Sequence, residues 1–215
     1  MASSSSALKK GYLIAYNSAS AIAWTTILGR VVAVLLLKGP HMVPLAVDNF
    51  ARITQTFATL EILHSVLGIV PSPLFTTLMQ VASRLFLMWL VTYPFPSVTT
   101  SPAYSSMLCA WSLTELIRYG YFTAKLTGGD ASPPPYWLHW LRYSAFIVLY
   151  PVGISSELVE VYLAATGPAR GLAWWAPYAL AAAAAVYAPG APKLYTYMVK
   201  QRRKQLGGSV AKKEQ

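Results

Sequence analysis

The sequence predicts an all-α integral membrane protein, a bundle of six transmembrane helices with both termini in the cytoplasm. Three observations predict it. Of 215 residues, 55% are hydrophobic and 11% charged, with a mean hydropathy of +0.45, whereas a soluble domain carries about 25% charged residues. The apolar residues gather into six runs of bilayer length, which is about 20 residues. The joins between runs are short and punctuated by proline and glycine, as in an up-and-down bundle.

The first run covers about residues 11–37. Residues 1–10, Ser-rich with Lys9 and Lys10, resemble the start of a signal peptide, but the apolar run behind them is too long for a signal-peptide core and reads as a retained span. Gly39-Pro40 separates it from the second run, about 48–70. Pro71-Ser72-Pro73 leads into the third, about 74–93, and Pro94-Phe95-Pro96 into the fourth, about 103–124. The fifth, about 136–165, follows Gly128-Gly129 and Pro133-Pro134-Pro135. The sixth, about 172–199, follows Gly167-Pro168 and contains the alanine run 181–185, suited to close helix packing. The expected organisation is one transmembrane domain, 11–199, between a cytoplasmic tail, 1–10, and a basic cytoplasmic tail, 200–215.

Orientation follows from the lysine and arginine bias. With the N-terminus in the cytoplasm, that side carries Lys9, Lys10, Lys125, Lys193, Lys200, Arg202, Arg203, Lys204, Lys212 and Lys213, against Lys38 and Arg170 opposite. The last four residues, Lys212-Lys213-Glu214-Gln215, are then expected to act as a cytosolic dilysine retrieval signal of the endoplasmic reticulum, a receptor-read address, rather than as an ordinary solvated charged tail. The net charge of +10 is not a nucleic-acid signature, because seven of the seventeen basic residues lie after Pro192 and others sit singly inside spans. The tail suits anionic lipid headgroups or an anionic substrate. Cys109, the one cysteine, falls inside a span and cannot form an intramolecular disulfide.

Arg30, Arg52, Glu61, His64, Arg84, Glu115, Arg118, Arg142, Glu157 and Glu160 all fall within runs, where each needs a partner or a water-filled cavity. Glu61 with His64, and Glu115 with Arg118, are three residues apart and are expected as local pairs, either tying helices together or holding a ligand. Glu61-x-x-His64 lacks the second motif and extra carboxylates of a di-iron bundle, so no metal is expected. There is no G-x-S-x-G elbow for a serine hydrolase. A phosphatase-type thiol needs an arginine six positions after its cysteine, and after Cys109 that position is Glu115.

Tyr150 and Glu157 stand out. They are seven residues apart, two helical turns, so they share one face about 10 Å apart along the axis. Pro151 lies between them, where it breaks the backbone ladder and opens space. Tyr143 lies a further seven residues back on the same face. Residue types alone leave two readings open: a kinked helix with a tyrosine belt and a lumenal-end carboxylate, or a reactive pair in a cavity.

The run Leu141-Arg142-Tyr143-Ser144 through Tyr150-Pro151-Val152-Gly153-Ile154-Ser155-Ser156-Glu157 resembles the hallmark of the very-long-chain (3R)-3-hydroxyacyl-CoA dehydratases, the protein tyrosine phosphatase-like family, and is closest to its plant PASTICCINO type. The resemblance continues through Leu60-Glu61-Ile62-Leu63-His64, Ser83-Arg84-Leu85-Phe86-Leu87, Trp111-Ser112-Leu113-Thr114-Glu115-Leu116-Ile117-Arg118-Tyr119, and Pro189-Gly190-Ala191-Pro192 with Tyr195 and Tyr197. It runs in order over nearly the whole chain and departs in the loops near 128–135 and 167–171. It implies six spans in the endoplasmic reticulum and the third step of fatty-acid elongation, loss of water from a (3R)-3-hydroxyacyl-CoA to give the trans-2-enoyl-CoA. The family's catalytic tyrosine and glutamate fall on Tyr150 and Glu157. The substrate carries coenzyme A and no cofactor is expected. Expected partners are the other membrane enzymes of the elongation cycle and membrane lipids.

That reaction takes a weakly acidic proton from C2 and expels the C3 hydroxyl as water, so it needs a base and an acid close together. The expected assignment is Glu157 at the C2 proton and Tyr150 at the leaving hydroxyl, with the reverse also open. Arg118 or Arg142, with Tyr143, is a candidate to polarise the thioester or hold a CoA phosphate. A non-catalytic scaffold of the elongation complex and a small transporter are the competing readings.

Overall fold

The computed structural model describes residues 2–129 and 132–211, which are helical without strands. The dilysine pair at Lys212 and Lys213 lies outside the described residues. Helix α1, Ala2–Lys38, runs without a proline and ends where Gly39 takes φ 85°, a left-handed conformation that glycine adopts without penalty, with Pro40 opening a 3-10 turn. α2, Val43–Phe57, and α3, Thr59–Val66, follow, with a break at Ala58. α4, Leu74–Leu85, continues into a π-helical segment, Phe86–Thr92. α5, Pro102–Gly128, starts with Pro102 in its first turn and with the Ser101 hydroxyl accepting from the Tyr104 amide, 3.3 Å. α6, Tyr136–Ser144, and α7, Phe146–Thr166, are separated at Ala145. A short α8, Ala169–Leu172, leads to α9, Ala176–Ala211, which contains Pro189 and Pro192.

α5 is the spine. α1 packs along one side of it and α7 along another, while α9 packs on α7. The core is built from stripes at helical spacing: Trp24, Ile27 and Val31 on α1, Val43, Val47 and Ala51 on α2, Met107, Leu108 and Trp111 on α5, and Val161 and Ala164 on α7. The outward faces are equally apolar, with Leu36 82% and Leu37 80% exposed. Such a surface is unfavourable in water and suits lipid.

Three helical stretches are long and apolar enough to cross a membrane, Ala7–Lys38, Leu74–Thr92 and Tyr136–Leu172, matching the first, third and fifth expected spans. The other three expected spans differ for separate reasons. The second is divided at Ala58 into helices of 15 and 8 residues. The fourth, now α5, has 27 residues, about 40 Å at 1.5 Å each, but carries Glu115, Arg118 and Lys125. The sixth, now α9, is diluted by tyrosine, proline and glycine.

α7 stops at Gly167, where an added Cβ would meet the Leu163 carbonyl oxygen at 2.9 Å. Gly167→Ala is therefore expected to destabilise the protein by about 1–3 kcal/mol, the usual cost of overpacking, read as a lower thermal unfolding midpoint in detergent.

Candidate active site

The interior charges organise around α5. Its Glu115-x-x-Arg118 spacing puts both side chains on one face. Arg118 Nε donates to Glu115 Oε2 at 2.7 Å, and Arg118 also makes a two-pronged pair with Glu61 on α3, at 2.6 and 2.7 Å. Arg84 on α4 donates to the other Glu115 oxygen, and the Tyr119 hydroxyl donates to Glu61. Two guanidinium groups thus neutralise two carboxylates, joining three helices. The expected pair of Glu115 with Arg118 forms. The expected pair of Glu61 with His64 does not: His64 Nε2 meets the Tyr12 hydroxyl on α1 at 2.7 Å and its ring lies against Tyr12 and Tyr16. A buried carboxylate gains more from a two-pronged guanidinium than from one imidazole.

Glu157 on α7 is 7% exposed. Its Oε1 accepts from the Trp111 indole N–H on α5 at 2.9 Å, and its Oε2 accepts from the Tyr187 hydroxyl on α9 at 2.9 Å. Arg84 lies 5.1 Å over the ring of the same Trp111, so the ionic cluster reaches Glu157 through one indole. Immediately before Glu157, Ser156 donates to Ser106 of α5 at 3.0 Å, and one turn earlier Gly153 lets α7 approach Ala110 of α5.

Tyr150 is half-buried and its hydroxyl donates to the Ala191 carbonyl of α9 at 3.2 Å. Its ring is 6.0 Å from that of Tyr195. Tyr150, Pro151, Ile154, Ala191, Pro192 and Tyr195 line an open apolar groove of about 320 Å³ between α7 and α9. Glu157 lies one turn behind Ile154, close enough for its charge to act on both Tyr150 and Tyr187. As α9 rises from Tyr187 to Tyr195, its partners on α7 fall from Glu157 to Tyr150 and Phe146. The two helices are therefore antiparallel, and the two-turn spacing of Tyr150 and Glu157 lies along their shared seam.

The remaining sequence candidates separate. Tyr143 and Tyr150 meet different neighbours, Tyr150 on α9 and Tyr143 on α5 and within α6. Tyr143 packs with His139 and Tyr121, ring centroids 4.9 and 6.2 Å away. Arg142 lies 5.7 Å over the rings of both Phe122 and Tyr143, has no carboxylate partner among the described residues, and its Nε is buried without a hydrogen bond. Arg118, by contrast, is fully engaged by Glu61 and Glu115. Sequence reasoning gave no site role to Trp111 or Tyr187. Tyr187 had one weak signal, a lone hydroxyl-bearing ring just after the alanine run 181–185, but its contact with Glu157 depends on how α9 docks.

The family described as protein tyrosine phosphatase-like protein, PTPLA, matches residues 55–208. The very-long-chain (3R)-3-hydroxyacyl-CoA dehydratase PASTICCINO 2B of Oryza sativa subsp. japonica is 42% identical over 96% of this chain and 97% of its own length. The dehydratase PASTICCINO 2 of Arabidopsis thaliana is 37% identical over 97% of this chain and 99% of its own. A probable very-long-chain (3R)-3-hydroxyacyl-CoA dehydratase of Schizosaccharomyces pombe is 39% identical over 92% of this chain and 93% of its own. No solved structure matches the chain.

Arg118→Ala would take the guanidinium from half-buried Glu61 and leave buried Glu115 with Arg84 alone, so two carboxylates would share one cation. A loss of about 3–5 kcal/mol is expected from breaking a buried pair on one side only, measured as a fall in the thermal unfolding midpoint and in the yield of monodisperse protein.

Proposed function

The chain belongs to the protein tyrosine phosphatase-like family, and from that membership we propose that it is a very-long-chain (3R)-3-hydroxyacyl-CoA dehydratase, a hydro-lyase. The observation that carries the reading to specific residues is the α7–α9 seam, where Tyr150 lines an apolar groove and a buried carboxylate stands behind it. Dehydration needs one group to take a proton and one to give a proton. Glu157, as the carboxylate, removes the C2 proton. The electron pair of that C–H bond forms the C2–C3 double bond as the C3–O bond breaks, and Tyr150 protonates the departing hydroxyl to release water. Proton transfer from Glu157 back to Tyr150 resets the pair. The apolar lining of the groove suits an acyl chain, which needs no polar recognition.

The full reading comprises six spans within 11–199 and cytoplasmic tails at 1–10 and 200–215, in the membrane of the endoplasmic reticulum. The lysine and arginine bias supports the topology, and Lys212 and Lys213 support retrieval to that membrane. The other enzymes of the elongation cycle are the proposed partners, handing on the hydroxyacyl thioester and taking up the enoyl thioester. Of the candidate cations, Arg142 fits the CoA phosphates best, since among the described residues its guanidinium has no carboxylate partner. It precedes Tyr150 by eight residues, about 12 Å toward the cytoplasmic end, and the Tyr143 ring beneath it fixes its place.

Purified protein given a (3R)-3-hydroxyacyl-CoA should yield the enoyl-CoA, identified by mass spectrometry. Tyr150→Phe and Glu157→Gln should each lower turnover by about 100-fold or more, the usual weight of a positioned acid or base. Unchanged turnover in both would overturn the site, and no product from the intact protein would favour a scaffold. Arg142→Ala should raise KM for the CoA substrate about tenfold, the scale of one charge-assisted bond. The same variant should show no such rise with the matching pantetheine thioester, which lacks the phosphates.

A further inference from the structure

We propose that Tyr187 is a positioning residue that aims Glu157 for the reaction. The inference rests on the dehydratase reading above and extends it to a residue on a different helix. A carboxylate has about four lone-pair sites, and in this structure two donors occupy one site on each oxygen: the Trp111 indole N–H on Oε1 and the Tyr187 hydroxyl on Oε2, both at 2.9 Å. One site on each oxygen is left to accept a proton from substrate. With donors on α5 and α9 at opposite oxygens, the carboxylate can neither slide nor rotate. With Trp111 alone, it swings about the single remaining bond. Acid–base chemistry tolerates little of that motion, since productive geometry is held to about 0.5 Å and 10–20°.

The placement of Tyr187 adds a second constraint. It is one helical turn from Ala191, whose carbonyl receives the Tyr150 hydroxyl. A single turn of α9 therefore anchors both reactive groups, and the gap between them is set by α9 as much as by the Pro151 break in α7. Tyr187 is not part of the groove lining. It acts through Glu157 rather than on the substrate.

Tyr187→Phe removes one oxygen atom and retains the ring. It is expected to lower kcat about tenfold, the scale of one lost buried hydrogen bond, with KM within about twofold. Because proton removal at C2 becomes the slower step, the kinetic isotope effect with C2-deuterated substrate should grow. A variant that keeps full kcat, or one whose KM rises while kcat and the isotope effect hold, overturns the proposal. If Tyr187→Phe does not yield folded protein, Trp111→Phe tests the same two-donor clamp from the other oxygen, with the same expected split and the same overturning results. The two readings fail differently. An intact protein that makes no enoyl-CoA removes the dehydratase reading and this inference together. A fully active Tyr187→Phe beside an inactive Glu157→Gln removes this inference alone.

Discussion

The need to neutralise charge in a low-dielectric interior governs this structure. Glu115 is the centre of that requirement. An unpaired carboxylate at its depth would cost several kcal/mol, and both of its oxygens receive guanidinium donors, one from Arg84 on α4 and one from its own neighbour Arg118. Arg118 then requires a second anion and takes Glu61 from α3. The four charges cancel only when α3, α4 and α5 sit in one register. Apolar packing is non-directional and tolerates small shifts, whereas these ion pairs hold only at hydrogen-bond distance.

That register sets the proposed site without contributing a reacting group to it. Trp111 lies between the ionic cluster and Glu157, with Arg84 over its ring and its N–H on the Glu157 carboxylate. The indole position is therefore fixed from one side by charge and handed on to α7 as a directional hydrogen bond. α9 completes the arrangement from the opposite side through Tyr187 and Ala191. The helix richest in alanine comes close enough to α7 for a hydroxyl and a backbone carbonyl to reach across, which larger side chains in its place would prevent.

The interior holds a second polar group of a different kind. Arg52 pairs with Asp48 at 3.0 Å and lies 4.5 Å over Tyr93, Tyr104 donates to Asp48 at 2.7 Å, and the fully buried Glu160 accepts from Ser101. These contacts tie the start of α5 to α2 and α7. Together with the Glu115 cluster they hold α5 at its start and at its middle, consistent with its role as the spine against which α1 and α7 pack.

Much of this was legible in the residues. Low charge and apolar runs of about 20 residues determine a helical membrane protein, because a closed barrel, the other structure that satisfies the backbone in lipid, spans it with strands of about 10 residues, and the i, i+3 spacing of Glu115 and Arg118 puts them in reach of one another. The seven-residue spacing of Tyr150 and Glu157 determines that they lie along one side of a helix. Spacing misled within α3, where Glu61 turned from its neighbour His64 to Arg118. Only the tertiary structure decided which distant groups meet: Glu157 with Trp111 and Tyr187, Tyr150 with the Ala191 carbonyl, and Arg118 with Glu61. The physical reason is one of range. Helical periodicity sets neighbours three, four and seven residues apart, whereas partners 30 to 60 positions away depend on how whole helices cancel their charges against one another.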